Sequence, residues 1–289
     1  MTIRTITPDI LPVPVDSVLG ESPWWDGTHL SWVDIHKGVI HRCALDGSDF
    51  TSICTPGTPG FAIPTTTGSW AVGLQDGLWE ATSDGSTWKQ LWAAPHDARS
   101  HRMNDAKTDS RGRLWMGSMT YEEKDPVSTL YRWTVEGADP VVPEIITSNG
   151  LGWSPDDRTL YHTDSITRTI WAFDYDIDNG QLSNRQVFTV DPDDCVPDGM
   201  AVDAEGFIWS CKWNGYRIVR YAPDGGVDMV LELPVARPTS IDFVGPDRSV
   251  MAVTSARPGD FSTHGPLDGQ VLLIPTKTHA RLLHPVRLW

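Results

Sequence analysis

The chain has 289 residues, 39% of them hydrophobic and 21% charged, with a formal net charge of -15. This is an ordinary globular composition, and its acidity excludes a nucleic-acid binder, because phosphate affinity needs clustered Lys and Arg. No run approaches the roughly 20 apolar residues that cross a bilayer, so neither nucleic acid nor a membrane is an expected partner.

The opening residues, MTIRTITPDILPVPV, show no long apolar core and no small-residue cleavage site. The four cysteines, Cys43, Cys54, Cys195 and Cys211, form no CxxC pair. Free thiols in a reducing cytoplasm are therefore expected. Cys43 and Cys54 could face each other across a hairpin, with simple thiol packing as the alternative.

An internal repeat organises the rest of the chain. Six units begin at GESPWW, GFAIPT, NDAKTD, NGLGWS, PDGMAV and RPTSID, spaced by about 40 to 48 residues, the length of one four-stranded propeller blade. Inside a unit the order is constant. A first short strand (SPWW, GLGWS, MAVD) follows a polar dyad. A turn comes next, rich in Asp and Gly, as at Asp26-Gly27, Asp156-Asp157 and Asp203 to Gly206. A second strand (LSWVDI, RLWMGSM, TLYHTDS, FIWSCKW) and a third (VIHRCAL, TLYRWTV, TIWAFDY, RIVRYAP) follow, and a turn such as Asp46-Gly47 or Asp224-Gly225 closes the unit. The strands alternate apolar and polar residues, and no segment has a long helical period with caps.

These elements predict an all-β fold, a single domain over residues 1–289, built as a six-bladed β-propeller of four-stranded antiparallel blades. Closure by pairing of N- and C-terminal strands would remove two exposed edges. The segment TIRTITPDI is expected to supply an outer strand to the last blade, beside QVLLIPT or ARLLHPVRLW. Trp32, Trp115, Trp171 and Trp209 fall where large rings pack between blades. Trp213, at a strand end beside Lys212 and Asn214, is set apart as a residue that could line a site.

Equivalent points of a ring converge on its axis. The dyad position offers Glu21, Asn104, Asn149 and Asp198 in units one, three, four and five, Phe61-Ala62 in unit two, and Pro238 to Ser240 in unit six. Asn-Gly and Asp-Gly are also common turn dipeptides, but four polar dyads at one register exceed what a turn requires. Two carboxylates with amide oxygens are hard donors suited to calcium, magnesium or manganese. Glu21, Asn149 and Asp198 make three protein ligands and leave positions for water and substrate. Arg102, two residues before Asn104 in an extended chain, shares its face and could meet a substrate's hydroxyls or carbonyl while Asn104 adds a hydrogen bond. Lys107 and Lys212 are weaker candidates of that kind. His101 and His162 lie near the dyad end, and Glu122 and Glu123 fall in a loop after Met119 that reads as a solvated acidic segment. No GxSxG, HExxH or P-loop occurs, so the available chemistry is cation-assisted attack of water on a polarised electrophile, with Asp198 as the proton acceptor.

The stretches LGESPWW, RMNDAKTDSRGRLWMGSM, SNGLGWSPDDRTLYHTDS and PDGMAVDAEGFIWSCKWNGYRIVRYAPDG, in that order, resemble the gluconolactonase, regucalcin and senescence-marker-protein family of sugar lactonases. The resemblance implies a six-bladed propeller with one divalent cation in its central channel, calcium, zinc, manganese or iron; together with the donor types, which also admit magnesium, calcium is the expected ion. The resemblance also implies Glu21, Asn149 and Asp198 as metal ligands, Arg102 and Asn104 as substrate contacts, and Asp198 as proton acceptor and donor. A glutamate from the loop after the third unit's second strand serves some members; that loop is shorter here, which leaves Glu122 outside the expected site. The expected substrate is a small sugar lactone, with no obligate protein partner. A metal-dependent phosphotriesterase and a non-enzymatic calcium-binding or protein-binding propeller are the alternatives.

Overall fold

The computed structural model describes residues 2–5, 8–13, 16–134, 136–192, 194–257, 265–280 and 283–288. Two short strands, β1 (Thr2–Thr5) and β2 (Asp9–Ile10), precede six antiparallel blades. Blade one holds β3 (Gly20–Trp25), β4 (Leu30–Asp34), β5 (Val39–Cys43) and β6 (Thr51–Cys54). Blade two holds β7 (Phe61–Pro64), β8 (Trp70–Leu74), β9 (Gly77–Ala81) and β10 (Trp88–Ala93); blade three holds β11 (His101–Thr108), β12 (Leu114–Thr120), β13 (Ser128–Thr134) and β14 (Gly137–Ile145). Blade four comprises β15 (Ser148–Trp153), β16 (Thr159–Asp164), β17 (Thr169–Asp176) and β18 (Gln181–Val190); blade five comprises β19 (Val196–Val202), β20 (Ile208–Trp213), β21 (Arg217–Tyr221) and β22 (Val227–Glu232). Blade six is β23 (Pro238–Val244), β24 (Val250–Ser255) and β25 (Leu272–Pro275), with β2 as its fourth strand. Among the described residues there is no helix.

The first strands of successive blades touch one another around the ring. First and second strands are almost wholly buried, whereas fourth strands such as β6 and β18 are largely exposed. Apolar side chains fill the wedges between blades. Trp115, Trp153 and Tyr175 meet edge to face, with ring centres 5.8–6.1 Å apart, where blades three and four join, a geometry that aromatic quadrupoles favour. Trp32 and Trp209 are buried in the same way. Trp171 also packs against the apolar cluster between blades three and four, but it is only half-buried, with the Arg185 guanidinium 3.9 Å above its ring.

The first-to-second-strand turns are held by their aspartates. Asp203 Oδ1 accepts from the backbone N–H of Glu205 and Phe207, and Oδ2 accepts from Trp209 Nε1 at 3.0 Å and Arg220 at 2.8 Å. Asp109 repeats the device with the N–H of Arg111 and Arg113, Trp115 Nε1 and Tyr175 Oη. A turn residue and the tryptophan six positions later thus lock together, which ties the conspicuous Asp…Trp spacing to blade geometry.

Closure follows the expectation in part. Asp9 and Ile10 pair antiparallel with Leu273 and Leu272, completing blade six. Thr2–Thr5 instead pairs parallel with β22 on the outer edge of blade five. The C-terminal segment is not an outer strand either. Val286 bonds Pro64 and Thr66, Arg287 bonds Gly112, and Trp133 Nε1 donates to Leu288, so residues 283–288 brace blades two and three beside their first turns. All four cysteines are free; Cys43 is buried opposite Leu30 and Cys54 is exposed opposite Val39, so the two do not face each other.

The dyads themselves are not turns. They lie within the first strands, at a β-bulge. One extra residue is inserted in the first strand between Glu21 and Trp24, Met103 and Ala106, Asn149 and Leu151, Pro197 and Met200, and Pro238 and Ile241. Blade two, whose dyad position is the apolar Phe61-Ala62, pairs without a bulge. A bulge re-aims a side chain that regular alternation would bury against the next blade. Gly150 and Gly199 permit the accompanying close approach: a Cβ would come within 2.6 Å of the Asp198 carbonyl oxygen at Gly150 and within 2.3 Å of Ser240 Oγ at Gly199.

Asp203→Ala should lower unfolding stability by about 2–4 kcal/mol, because it leaves the buried Trp209 indole N–H and the turn N–H groups of Glu205 and Phe207 without their acceptor, while Arg220 keeps Glu205 and Asp228. Asp178→Ala removes an exposed partner of Arg111 and should cost under about 1 kcal/mol. Urea midpoints measure both; equal shifts would contradict the role given to the turn aspartates.

Candidate functional site

A cavity of about 880 Å³ opens at the end of the ring where the first strands begin. Its wall has two sources. One is the residue at or just before each first strand: Leu19 and Glu21, Thr58, Arg102 and Asn104, Thr147 and Asn149, Val196 and Asp198, Arg237. The other is the residue at or just after the second strand's end: Ile35, Tyr121 and Glu123, Ser165, Trp213, Arg257. Glu21, Arg102, Asn104, Asn149 and Asp198, chosen from sequence, all line this one cavity.

At its floor the polar groups are buried and bonded to one another. Arg102 is 7% exposed, and its Nη1 donates to Asn104 Oδ1 at 2.6 Å and to the Met103 carbonyl at 3.1 Å. Asn104 Nδ2 donates to the Ser148 carbonyl at 2.8 Å, so both ends of its amide are fixed. Asn149 donates through Nδ2 to Asp198 Oδ1 and accepts the Gly150 N–H on its own Oδ1. The Ser22 N–H, on a residue held at φ 51°, reaches Glu21 Oε2.

The electrostatics are strained. Burial pushes the Glu21 carboxyl well above the usual carboxylate range, and the neighbouring charges of Asp198 and Asp105 push it further; the Ser22 N–H and Arg102 oppose this. Asp198 is likewise pushed well up by burial and by Asp105, against the hydrogen bond from Asn149. Asp105, also raised by burial, faces Lys107. Two carboxylates that disfavour each other's ionisation, with one guanidinium beside them, form a site that a small cation would relieve. Among the described residues no three His, Cys, Asp or Glu side chains gather as a metal cluster. The donors available at the floor are two carboxylates and the amide of Asn149, whose oxygen would face them after a half-turn of the amide plane.

The structure separates the weaker candidates. Lys107 is buried and donates to the Met200 carbonyl, and Lys212 is buried against Asp191 and Ser210; neither lines the cavity. His162, pushed down to about 3 by burial, is bonded to Ser148 Oγ below the floor. His101 stacks on His96 at 4.9 Å, away from the cavity. Glu122 is exposed and paired with Lys124. Glu123 departs from the solvated reading: it lines the cavity at φ 51°, accepts from Thr147 Oγ1 at 3.4 Å, and is pushed up by burial against the pull of Arg102. Trp213 lines the wall, as its position suggested. The sequence reasoning passed over Tyr121, Ser165, Arg237 and Arg257. Their common register, beside the ends of first and second strands, is the signal that would have found them.

The comparisons with known proteins agree with this architecture. Residues 19–257 match the SMP-30/Gluconolactonase/LRE-like region. The chain is 31% identical to regucalcin from Oryctolagus cuniculus over 267 residues, covering 86% of each protein. It is also 31% identical to a 6-deoxy-6-sulfogluconolactonase from Pseudomonas putida, covering 83% of this chain and 84% of that protein. The crystal structure of a calcium-binding protein, regucalcin, from Agrobacterium tumefaciens superposes over the full length of both chains with a TM-score of 0.94 at 24% identity, which speaks to the fold. By its blades, its matched region and its relatives, the chain belongs to the SMP-30/gluconolactonase/LRE-like family.

Proposed function

We propose that the chain is a metal-dependent lactonase that opens a sugar lactone to its aldonic acid. The observation that carries the reading is the cavity floor, where two mutually repelling buried carboxylates, Glu21 and Asp198, sit beside the linked Arg102–Asn104 pair. The relatives named for gluconolactone chemistry, including the Pseudomonas putida enzyme, support the substrate class. Regucalcin relatives and a calcium-binding structural neighbour support a divalent ion.

Glu21, Asn149 and Asp198 would hold that ion. Their oxygen-only set favours calcium, with zinc, manganese, magnesium and iron as other occupants. When bound, the ion supplies electrophilic activation of the lactone's acyl oxygen and offsets the two buried negative charges. The chain's own residues do the rest. Arg102, held by Asn104 and the Met103 carbonyl, donates hydrogen bonds to the lactone and fixes its approach. Asp198 accepts the proton of the attacking water through the oxygen that coordination would leave free; that makes it a modest base, which suffices for an activated ester. It then returns that proton to the ring oxygen as the acyl C–O bond breaks, so that one water is consumed and one carboxylic acid and one hydroxyl are formed. The apolar lining from Ile35, Ile166 and Val196 limits the water that competes for these hydrogen bonds.

The direct test is a lactone panel on metal-stripped protein, with each divalent ion restored in turn and an organophosphate ester alongside. Lactone hydrolysis restored by calcium or another ion upholds the proposal. Ester-only turnover would favour a phosphotriesterase, and no turnover a binding scaffold. Asp198→Ala should reduce kcat by roughly 10²–10⁴-fold, and Asn104→Ala should reduce kcat/KM by about tenfold through loosening of Arg102. An Asp198→Ala protein with undiminished lactone hydrolysis would sink the assigned role.

The raised carboxyls also predict a pH dependence. In metal-free protein Glu21 and Asp198 have folded pKa values above their unfolded ones, so the folded state holds more protons in that interval and its stability falls as pH rises through it. A divalent ion must displace those protons. Calcium should therefore raise the Tm more at pH 8 than at pH 5, with proton release on binding; scanning calorimetry at both values checks it, and an equal or reversed shift would contradict it.

A further inference from the structure

The cavity wall at blades five and six carries a second polar device, formed by Trp213 at the end of β20 and Arg237 just before β23. The Arg237 guanidinium carbon lies 4.7 Å from the centre of the Trp213 ring. Its Nε donates to Asn214 Oδ1 at 2.7 Å, and its Nη1 reaches the Arg257 carbonyl only at 3.5 Å. Stacking and one good hydrogen bond thus hold a half-buried guanidinium in place, with donors left over. Among the described residues, no carboxylate lies within ion-pair distance of it.

The other cations of the cavity are compensated. Arg257 is paired with Asp16, and Arg102 feels Glu21, Glu123 and Asp198. With a divalent ion balancing Glu21 and Asp198, and Glu123 set against Arg102, the charge left over among the described residues of the cavity is that of Arg237. The surrounding protein carries a net charge of -15 and so repels anions as a whole. A fixed guanidinium inside a recognition cavity of such a protein, with no carboxylate beside it among the described residues, is suited to one ligand chemistry: a planar or tetrahedral oxyanion, taken by its parallel N–H groups. Indole stacking pre-organises it for that contact.

We propose that Arg237, seated on Trp213, is a specificity-determining residue that binds an oxyanion substituent, carboxylate or sulfonate, on the end of the lactone remote from the reacting carbonyl. This rests on the lactonase reading and narrows its substrate class from neutral aldonolactones to acidic ones. The reaction class that supplies such a substrate is oxidation of an acidic aldose at its anomeric carbon.

The test compares gluconolactone, glucarolactone and a gluconolactone bearing a sulfonate at its terminal carbon, using wild type, Arg237→Gln and Arg237→Lys. Wild type should prefer one of the charged lactones by tenfold or more in kcat/KM. Arg237→Gln should cut that preference by about ten- to a hundredfold, mainly through KM, and Arg237→Lys should restore part of it. The carboxylate and sulfonate arms identify which oxyanion is taken. High salt should shrink the preference in wild type and leave little to shrink in Arg237→Gln. Equal losses on neutral and charged lactones, as a purely structural arginine would give, overturn the proposal while leaving the lactonase reading intact. If wild type opens no lactone, the lactonase reading fails, and calorimetric titration with glucarate and gluconate decides the Arg237 site separately. Glucarate binding that Arg237→Gln weakens upholds it; equal binding of the two acids, or no effect of the substitution, overturns it.

Discussion

Two carboxylates forced together out of water are the constraint from which the rest of the site follows. Glu21 and Asp198 lie in blades one and five, far apart in the chain; burial raises the proton affinity of both, Asp198 raises that of Glu21, and Asp105 raises that of each. The backbone positions them, with Asn149 bonded to Asp198. Each sits at or beside an inserted residue in a first strand, and that strand is wedged between neighbours on both sides. A more yielding scaffold would relax by rotating one carboxylate to solvent. A closed ring of packed sheets has no free edge along which to relax, so the repulsion persists, and on the proposed reading it is a bound cation that relieves it.

The bulge also explains why one fold supplies both stability and a site. Regular alternation along β7 sends Phe61 into apolar packing, with Gly73 leaving room for its ring. Blades with the extra residue instead present Glu21, Asn104, Asn149 or Asp198 toward the axis. The turns at the other ends of the same strands carry the opposite kind of chemistry. There Asp109 and Asp203 are satisfied by backbone, indole and guanidinium donors, and the C-terminal residues lie against them. Carboxylates at one end of the strands are saturated with donors and stabilise the ring, while Glu21 and Asp198 at the other end have fewer donors and stay raised by burial.

Much of this was legible in the chain because repeats encode position. Six units, each with a dyad, an Asp-rich turn and a Trp strand, were enough to read the propeller and to pick out the residues at its axis. Less visible was the register shift. Asn149-Gly150 and Asp198-Gly199 look like turn dipeptides, yet both are strand interior, because the glycines serve close strand approach rather than reversal. Glu123 was read as solvated since a charge in a loop has no sequence mark of burial; its contact with Thr147 comes from the next blade. The path of the termini was hidden for the same reason. Short segments such as Thr2–Thr5 and residues 283–288 pair through backbone groups, which carry no side-chain signature.

The most direct measurement is a crystal of the protein soaked in manganese, with the ion located by its anomalous scattering. A single peak on the ring axis, bound by oxygens of Glu21, Asn149 and Asp198, is the predicted result. No peak at the cavity floor, or an ion bound elsewhere while Glu21 and Asp198 hold only protons and water, would contradict it.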